Sequence, residues 1–155
     1  MKTRKYLLSF AVLFAAAAVC FAADDVNMGT WKLDEAKSKI DAGAPKNATV
    51  VYEAAGDSVK VTVDGVGADG QPSHSEWTGK FDGKDYPVTG DPTTDMRSYK
   101  RVNDRTLELT NKKGGKVTFT GKITVSADGK TRTVSINGKG ADGKKVSSLA
   151  VYNKQ

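Results

Sequence analysis

The chain has 155 residues, a formal charge of +6 at neutral pH and a single cysteine. This length suits one domain with its own core, and the lone cysteine excludes a disulfide within the chain. The basic residues are scattered among acidic ones and are not interleaved with aromatic residues, so the composition argues against nucleic-acid binding. One histidine and one cysteine are too few for the usual zinc sites. We therefore predict no cofactor, no metal site and no nucleic-acid partner.

Residues 1–22 are predicted to be a cleaved signal peptide. Three basic residues lie among the first five, an apolar run follows, and the small residues Cys20 and Ala22 suit a signal-peptidase site. Cleavage would remove those three basic residues and lower the formal charge from +6 to +3. The run is short for a membrane anchor of about 20 residues, and Val19 before Cys20 disfavours lipid attachment. The sequence thus predicts one mature domain over 23–155, secreted or periplasmic, with no stable membrane span.

Gly29–Leu33 is predicted to be the first strand, with Trp31 as the plug that closes one end of the fold. A ring of this size must be covered by strands that come later in the chain, and Gly29 on the same face leaves room beside it. Residues 34–40 have a helix-friendly composition, and Asp34 can cap them. Glycine and proline follow, so the pattern predicts only a short helical or loop lid after the first strand.

From Thr49 onward, apolar and polar residues alternate with the period of a half-buried strand. Short turns rich in glycine and aspartate separate the alternating segments. The further predicted strands are 49–54, 58–64, 73–81, 85–88, 95–102, 106–111, 116–125, 131–139 and 145–153. Tight hairpins make sequence neighbours into sheet neighbours, and a meander this long leaves two open edges unless it closes. We therefore predict an all-β, up-and-down antiparallel β-barrel of about 8–10 strands.

A barrel of this width can hold one small ligand, and the side chains of inward parity are the candidate contacts. Parity alone cannot distinguish a cavity wall from plain core packing. The candidates are Tyr52, Val59, Val61, Trp77, Leu107, Leu109, Phe119 and Val134.

Arg97 and Tyr99 are two further candidates whose orientation the sequence leaves open. They lie either both inward, as a pair that binds a carboxylate head group, or both outward beside Arg101. The apolar residues Met96 and Val102 have the opposite parity and favour the outward arrangement.

His74 and Glu76 lie two residues apart and therefore share one face of a strand. As a general-base pair they would need to turn inward beside a nucleophile or a metal. Trp77 defines the inward parity of this strand, which sends both polar side chains outward. We therefore predict a solvated face and no enzyme activity.

The motif Gly29-Thr30-Trp31, a longer first connection and the meander that follows resemble the calycin superfamily of lipocalins and fatty-acid-binding proteins. In particular, they resemble bacterial secreted lipocalin-like domains of unassigned role. The resemblance implies a barrel whose closed end is carried by Gly29 and Trp31. Thr94-Asp95-Met96 partly matches a second lipocalin motif, with Met in place of Tyr. Arg97-Ser98-Tyr99 has the same residue types as the Arg-x-Tyr pair with which fatty-acid-binding proteins hold a carboxylate. Their pair lies in the last strand, whereas this one lies far upstream of it, so we favour the lipocalin-like type.

These observations predict a monomer that binds a small apolar or amphipathic ligand inside the barrel without catalysis. Three classes of function remain open. The first is a barrel that carries a ligand, and the second is a filled barrel that acts through its surface as an inhibitor or an envelope-associated partner. An enzyme would require His74 and Glu76 to face inward.

Overall fold

The computed structural model of the protein describes residues 25–140 and 142–155, so the predicted signal peptide lies outside the described residues. The described chain is almost entirely β-sheet, with one short 3₁₀ helix at Glu35–Lys37. The eleven strands are β1 Gly29–Leu33, β2 Lys39–Ile40, β3 Lys46–Ala55, β4 Ser58–Val66, β5 Pro72–Gly79, β6 Tyr86–Thr89, β7 Met96–Asn103, β8 Thr106–Lys113, β9 Lys116–Val125, β10 Thr131–Lys139 and β11 Lys145–Lys154.

Ten of these strands form a closed antiparallel barrel. Each strand from β3 to β11 pairs with the next one along the chain, and β1 pairs with both β3 and β11. Closure places Trp31 opposite Lys154 on one side and opposite Val50 on the other. Strand β2 lies outside the ten and pairs with β11 at Ser148 and Leu149. The predicted up-and-down β-barrel is therefore confirmed.

Aspartate side chains close several of the tight hairpins that force this topology. Asp69 Oδ1 accepts from the backbone nitrogen of Gln71 at 3.0 Å, and Asp128 Oδ1 accepts from that of Lys130 at 3.0 Å. An aspartate that bonds to the backbone two residues ahead stabilises a turn without any partner from a strand. Consecutive strands are thereby held next to each other in the sheet.

The predicted short helical segment follows β1 and is attached to the barrel wall. Asp34 caps it, because its carboxylate accepts from Lys37 N at 3.3 Å. Ser38 ends it, and its hydroxyl accepts from Val151 N of β11 at 2.9 Å. Because β2 then pairs with β11 as well, this connection continues the wall beyond the end of β1.

The closed end of the barrel is built around Trp31, which is fully buried. Its indole nitrogen donates to Asn27 O at 2.8 Å, and the Lys154 ammonium lies 5.2 Å from the ring centre. Gly29 has a φ of +105°, where an L side chain would be strained, and a Cβ there would lie 3.1 Å from Lys154 Cε. The glycine thus makes room for the Lys154 side chain, whereas the sequence predicted room for another backbone or for the indole ring.

The opposite end of the barrel carries the loops between β4 and β5 and between β6 and β7. A small cluster of Ala44, Phe119 and Val146 packs at this end, separate from the larger core around Trp31 and Trp77. No helix in the described part of the chain has the length and apolar character to cross a bilayer.

Candidate functional site

A cavity of about 120 Å³ lies inside the barrel and extends to the rim formed by residues 67–69 and 90–94. Its wall combines aromatic, aliphatic and polar side chains. An engineered apolar cavity of about 150 Å³ binds benzene, whereas pockets for drug-sized ligands measure about 300–1,000 Å³. The space therefore suits a molecule with a single ring or a short chain. The inward wall is formed mainly by Val50, Tyr52, Val63, Arg97, Tyr99, Leu109, Asn111, Phe119, Ile123, Arg132, Val134, Ile136 and Tyr152.

The structure brings six of the ten candidate ligand contacts together in this wall, namely Tyr52, Arg97, Tyr99, Leu109, Phe119 and Val134. Val61 and Trp77 are buried but lie in the core and do not line the cavity. Val59 and Leu107 are likewise packed in the core away from the cavity wall.

Arg97 and Tyr99 both point inward, at 7% and 3% exposure. The expectation drawn from Met96 and Val102 is therefore wrong: Val102 is half exposed at the end of β7. The contacts that Arg97 and Tyr99 make inside the barrel outweigh the preference of the apolar residues Met96 and Val102 for the interior. Arg97 Nε donates to Asn111 Oδ1 at 2.7 Å, and the Tyr99 ring meets the Trp77 ring edge-on at 4.7 Å.

Arg132 is a charged residue of the cavity wall that was not among the predicted ligand contacts. It lies at 2% exposure near the start of β10, and its guanidinium carbon stands 4.8–5.0 Å from the ring centres of Trp31, Tyr52 and Tyr152. The sequence carried a signal for it. Inward parity on β10 runs through Val134 and Ile136, and the same parity places a charged residue at 132.

No carboxylate in the described part of the chain forms an ion pair with Arg132. Its Nε and Nη1 atoms are buried and make no hydrogen bond within the described part of the chain. Transferring an ion from water to the protein interior costs several kcal/mol even after the protein relaxes. Each cation–π contact stabilises the buried ion by about 0.5–2 kcal/mol. The three aromatic rings offset part of this penalty, and Arg132 lies in the wall of the cavity, where a bound anion would complete the offset.

The tyrosines around Arg132 are held in their neutral form. Burial raises the pKa of Tyr52, the neighbouring Tyr99 raises it further, and the positive charge of Arg132 opposes the shift. Burial also raises the pKa of Tyr152 to about 12, again against the opposing charge of Arg132. Tyr152 donates its hydroxyl proton to Asn47 O at 3.0 Å. The cavity thus offers phenol groups, not phenolates, so these rings add no negative charge to neutralise Arg132.

We expect the raised pKa of Tyr152 to make the protein less stable at high pH. Below pH 10 the phenol is protonated in both states, but between pH 10 and 12 only the unfolded state loses the proton. The free energy of unfolding should therefore fall by about 1 kcal/mol at pH 11 from this group. Urea unfolding at pH 9 and pH 11 should show a smaller fall in Tyr152→Phe than in the parent protein. Equal falls in both proteins would contradict the assignment.

His74 and Glu76 lie on the outer face of β5, as predicted. His74 Nδ1 stands 2.6 Å from Asp64 Oδ1, and Glu76 pairs with Lys60 at 2.6 Å, both on the surface. Lys60 holds the pKa of the Glu76 carboxyl below its usual range through a hydrogen bond and its charge. Over residues 25–140 and 142–155, no group of three or more His, Cys, Asp or Glu side chains is placed to hold a metal ion.

The chain matches no protein-family profile and no curated protein. Among solved structures, a redesigned β-barrel, mFAP1, bound to DFHBI, is similar in fold. It is 16% identical, with a TM-score of 0.45, and the match covers 84% of this chain and 95% of that one. These comparisons assign no family to the chain.

Proposed function

We propose that the protein binds a small organic anion in the barrel, with the carboxylate of the ligand at Arg132 and a compact apolar body against the cavity wall. The observation that carries the proposal is the buried Arg132 guanidinium, whose Nε and Nη1 lack partners. A guanidinium fork matches the two oxygens of a carboxylate, and such charge-assisted bonds are about twice as strong as neutral ones.

The rest of the cavity defines the body of the ligand. Beyond Arg132 the wall presents the Tyr52 and Tyr99 rings and the aliphatic side chains of Leu109 and Ile123. A volume of about 120 Å³ accommodates one ring and leaves no room for a long acyl chain. The proposed ligand class is thus a compact aromatic or short-chain carboxylate, which is narrower than the amphipathic ligand predicted from sequence.

The proposed role is binding without catalysis. The only histidine, His74, is bound to Asp64 on the outside of the barrel, on the opposite face of β5 from the buried Ser75. The cavity wall therefore contains no imidazole to act as a general base. A barrel that works only through its surface is the alternative, and the small cavity volume supports it, because aliphatic and aromatic core side chains fill the rest of the interior.

Calorimetric titration with benzoate, benzyl alcohol and hexadecanoate separates these functions. We expect benzoate to bind at least about tenfold more tightly than benzyl alcohol, because only benzoate supplies the charged partner of Arg132. Hexadecanoate should bind no better than benzoate, since its chain exceeds the cavity. If neither benzoate nor benzyl alcohol binds, the proposal is refuted and the surface-acting barrel is favoured.

Export of the chain is the second part of the proposal. The basic start, the apolar run and the small-residue site within residues 1–22 support it. Mass spectrometry of the protein recovered from the periplasm or the medium of its own host should give a mature chain that begins at Ala23 or Asp24. Recovery of the uncut chain in the cytoplasm would contradict export.

A further inference from the structure

Arg97 forms a second polar group of the cavity and is held in a fixed orientation. Its Nε donates to Asn111 Oδ1 at 2.7 Å, and its backbone oxygen accepts from Trp77 Nε1 at 2.9 Å. The residue is buried in the wall of the cavity. These contacts fix one side of the guanidinium and leave the Nη atoms without a hydrogen-bond acceptor among the residues that the structure describes.

Asp91 lies opposite the free end of this guanidinium and makes only a long ion pair with it. Its Oδ1 accepts from Thr93 N at 2.8 Å and from Thr93 Oγ1 at 2.7 Å, so the carboxylate is held by its own loop. Its Oδ2 stands 3.9 Å from Arg97 Nη2, which is too far for a hydrogen bond. Arg97 Nη2 and Asp91 Oδ2 are therefore a donor and an acceptor that do not hydrogen-bond to each other.

Thr94 supplies an independent indication that a polar group belongs at this place. The residue is 1% exposed and lines the same cavity. Its hydroxyl oxygen is buried and has no hydrogen-bond partner in the described chain. Buried polar groups are satisfied in the great majority of cases, so the unpaired hydroxyl of a residue in the cavity wall indicates a missing partner.

We infer that the ligand carries a neutral hydroxyl or amide group at the end opposite its carboxylate, and that this group lies among Arg97, Asp91 and Thr94. The inference rests on the proposed function, because it takes the carboxylate to lie at Arg132. A second carboxylate would meet the like charge of Asp91, and an apolar end would leave all three groups unpaired. A hydroxyl or an amide both donates and accepts, so it bonds to Asp91 Oδ2 and to Arg97 Nη2 at once.

Calorimetry with benzoate, 3-hydroxybenzoate and 4-hydroxybenzoate tests the inference on the intact protein. At least one hydroxybenzoate should bind about tenfold more tightly than benzoate, because it gains hydrogen bonds to charged groups. In Asp91→Ala the ratio of the affinity for that hydroxybenzoate to the affinity for benzoate should fall to about one. Asp104→Ala is the matched control, because it removes an exposed carboxylate outside the cavity wall and should keep the ratio of the parent.

Three results would count against the inference. Equal affinity for benzoate and both hydroxybenzoates would overturn the inference and leave the proposed function standing. A tenfold ratio of hydroxybenzoate to benzoate affinity that persists in Asp91→Ala would do the same. Failure of all three compounds to bind would overturn the proposed function and the inference together. If Asp91→Ala does not fold, as judged by thermal melting, Thr94→Val removes a single hydroxyl at constant shape and should reduce the same ratio.

Discussion

Arg132→Met should abolish most of the affinity for benzoate while leaving the ligand-free barrel about as stable as before. Removing one partner of a buried, hydrogen-bonded charge pair costs about 2–5 kcal/mol of binding, at least about a thirtyfold loss of affinity. The free energy of unfolding should change by no more than about 1 kcal/mol. The variant loses three cation–π contacts of about 0.5–2 kcal/mol each, but it no longer buries an unpaired charge.

Calorimetry for binding and urea unfolding for stability measure the two effects separately. Arg105→Met is the matched control, because Arg105 is exposed in the turn between β7 and β8 and its side chain is outside the cavity wall. It should change the free energy of unfolding by less than about 0.5 kcal/mol and leave affinity intact. A loss of about 3–5 kcal/mol of stability in Arg132→Met, with unchanged binding, would show instead that Arg132 only supports the fold.

Arg132→Lys separates charge from shape at the same position. Lysine keeps the positive charge but has neither the planar fork that bonds two carboxylate oxygens nor a flat face for the surrounding rings. An intermediate affinity for benzoate is therefore expected. If Arg132→Lys bound benzoate as tightly as the parent, only the charge at this position would matter, and the proposed bidentate geometry would be wrong.

The architecture was predictable because the alternation of apolar and polar residues is local and the turns are short. In β9, for example, Phe119, Ile123 and Val125 are buried while Thr118 and Thr120 are not. That single strand already fixes its inward face, and the hairpins fix its neighbours. Barrel closure followed from the length of the meander, which would otherwise expose two edges.

The polar part of the site was less predictable, because inward parity does not distinguish a packed residue from one that lines a cavity. Val61 and Tyr52 both lie at inward positions of their strands and are both buried, yet only Tyr52 lines the cavity. The orientation of Arg97 depended on Asn111, fourteen residues away, and on the loop that carries Asp91. Arg132 was missed for a similar reason. Its three aromatic neighbours come from β1, β3 and β11, and only the closed barrel brings them together.

Trp31→Ala should be among the most destabilising single substitutions in the chain. The ring is fully buried at the closed end, and replacing a buried tryptophan by alanine costs about 3–5 kcal/mol through lost contacts and the cavity left behind. The substitution also removes the hydrogen bond to Asn27 O and one of the three rings around Arg132. Urea unfolding followed by the fluorescence of Trp77, the other tryptophan, measures the loss.

Trp31→Phe divides this loss between the ring and its nitrogen. Phenylalanine keeps an aromatic face for Arg132 but cannot donate to Asn27 O, so it should cost about 1–2 kcal/mol, less than alanine. Val117→Ala, at a half-exposed position, should have little effect. Because a domain of this size has a total stability of only about 5–15 kcal/mol, a loss of about 3–5 kcal/mol would raise the unfolded fraction by two to four orders of magnitude. A loss below about 1 kcal/mol in Trp31→Ala would contradict the barrel-closing role of this residue.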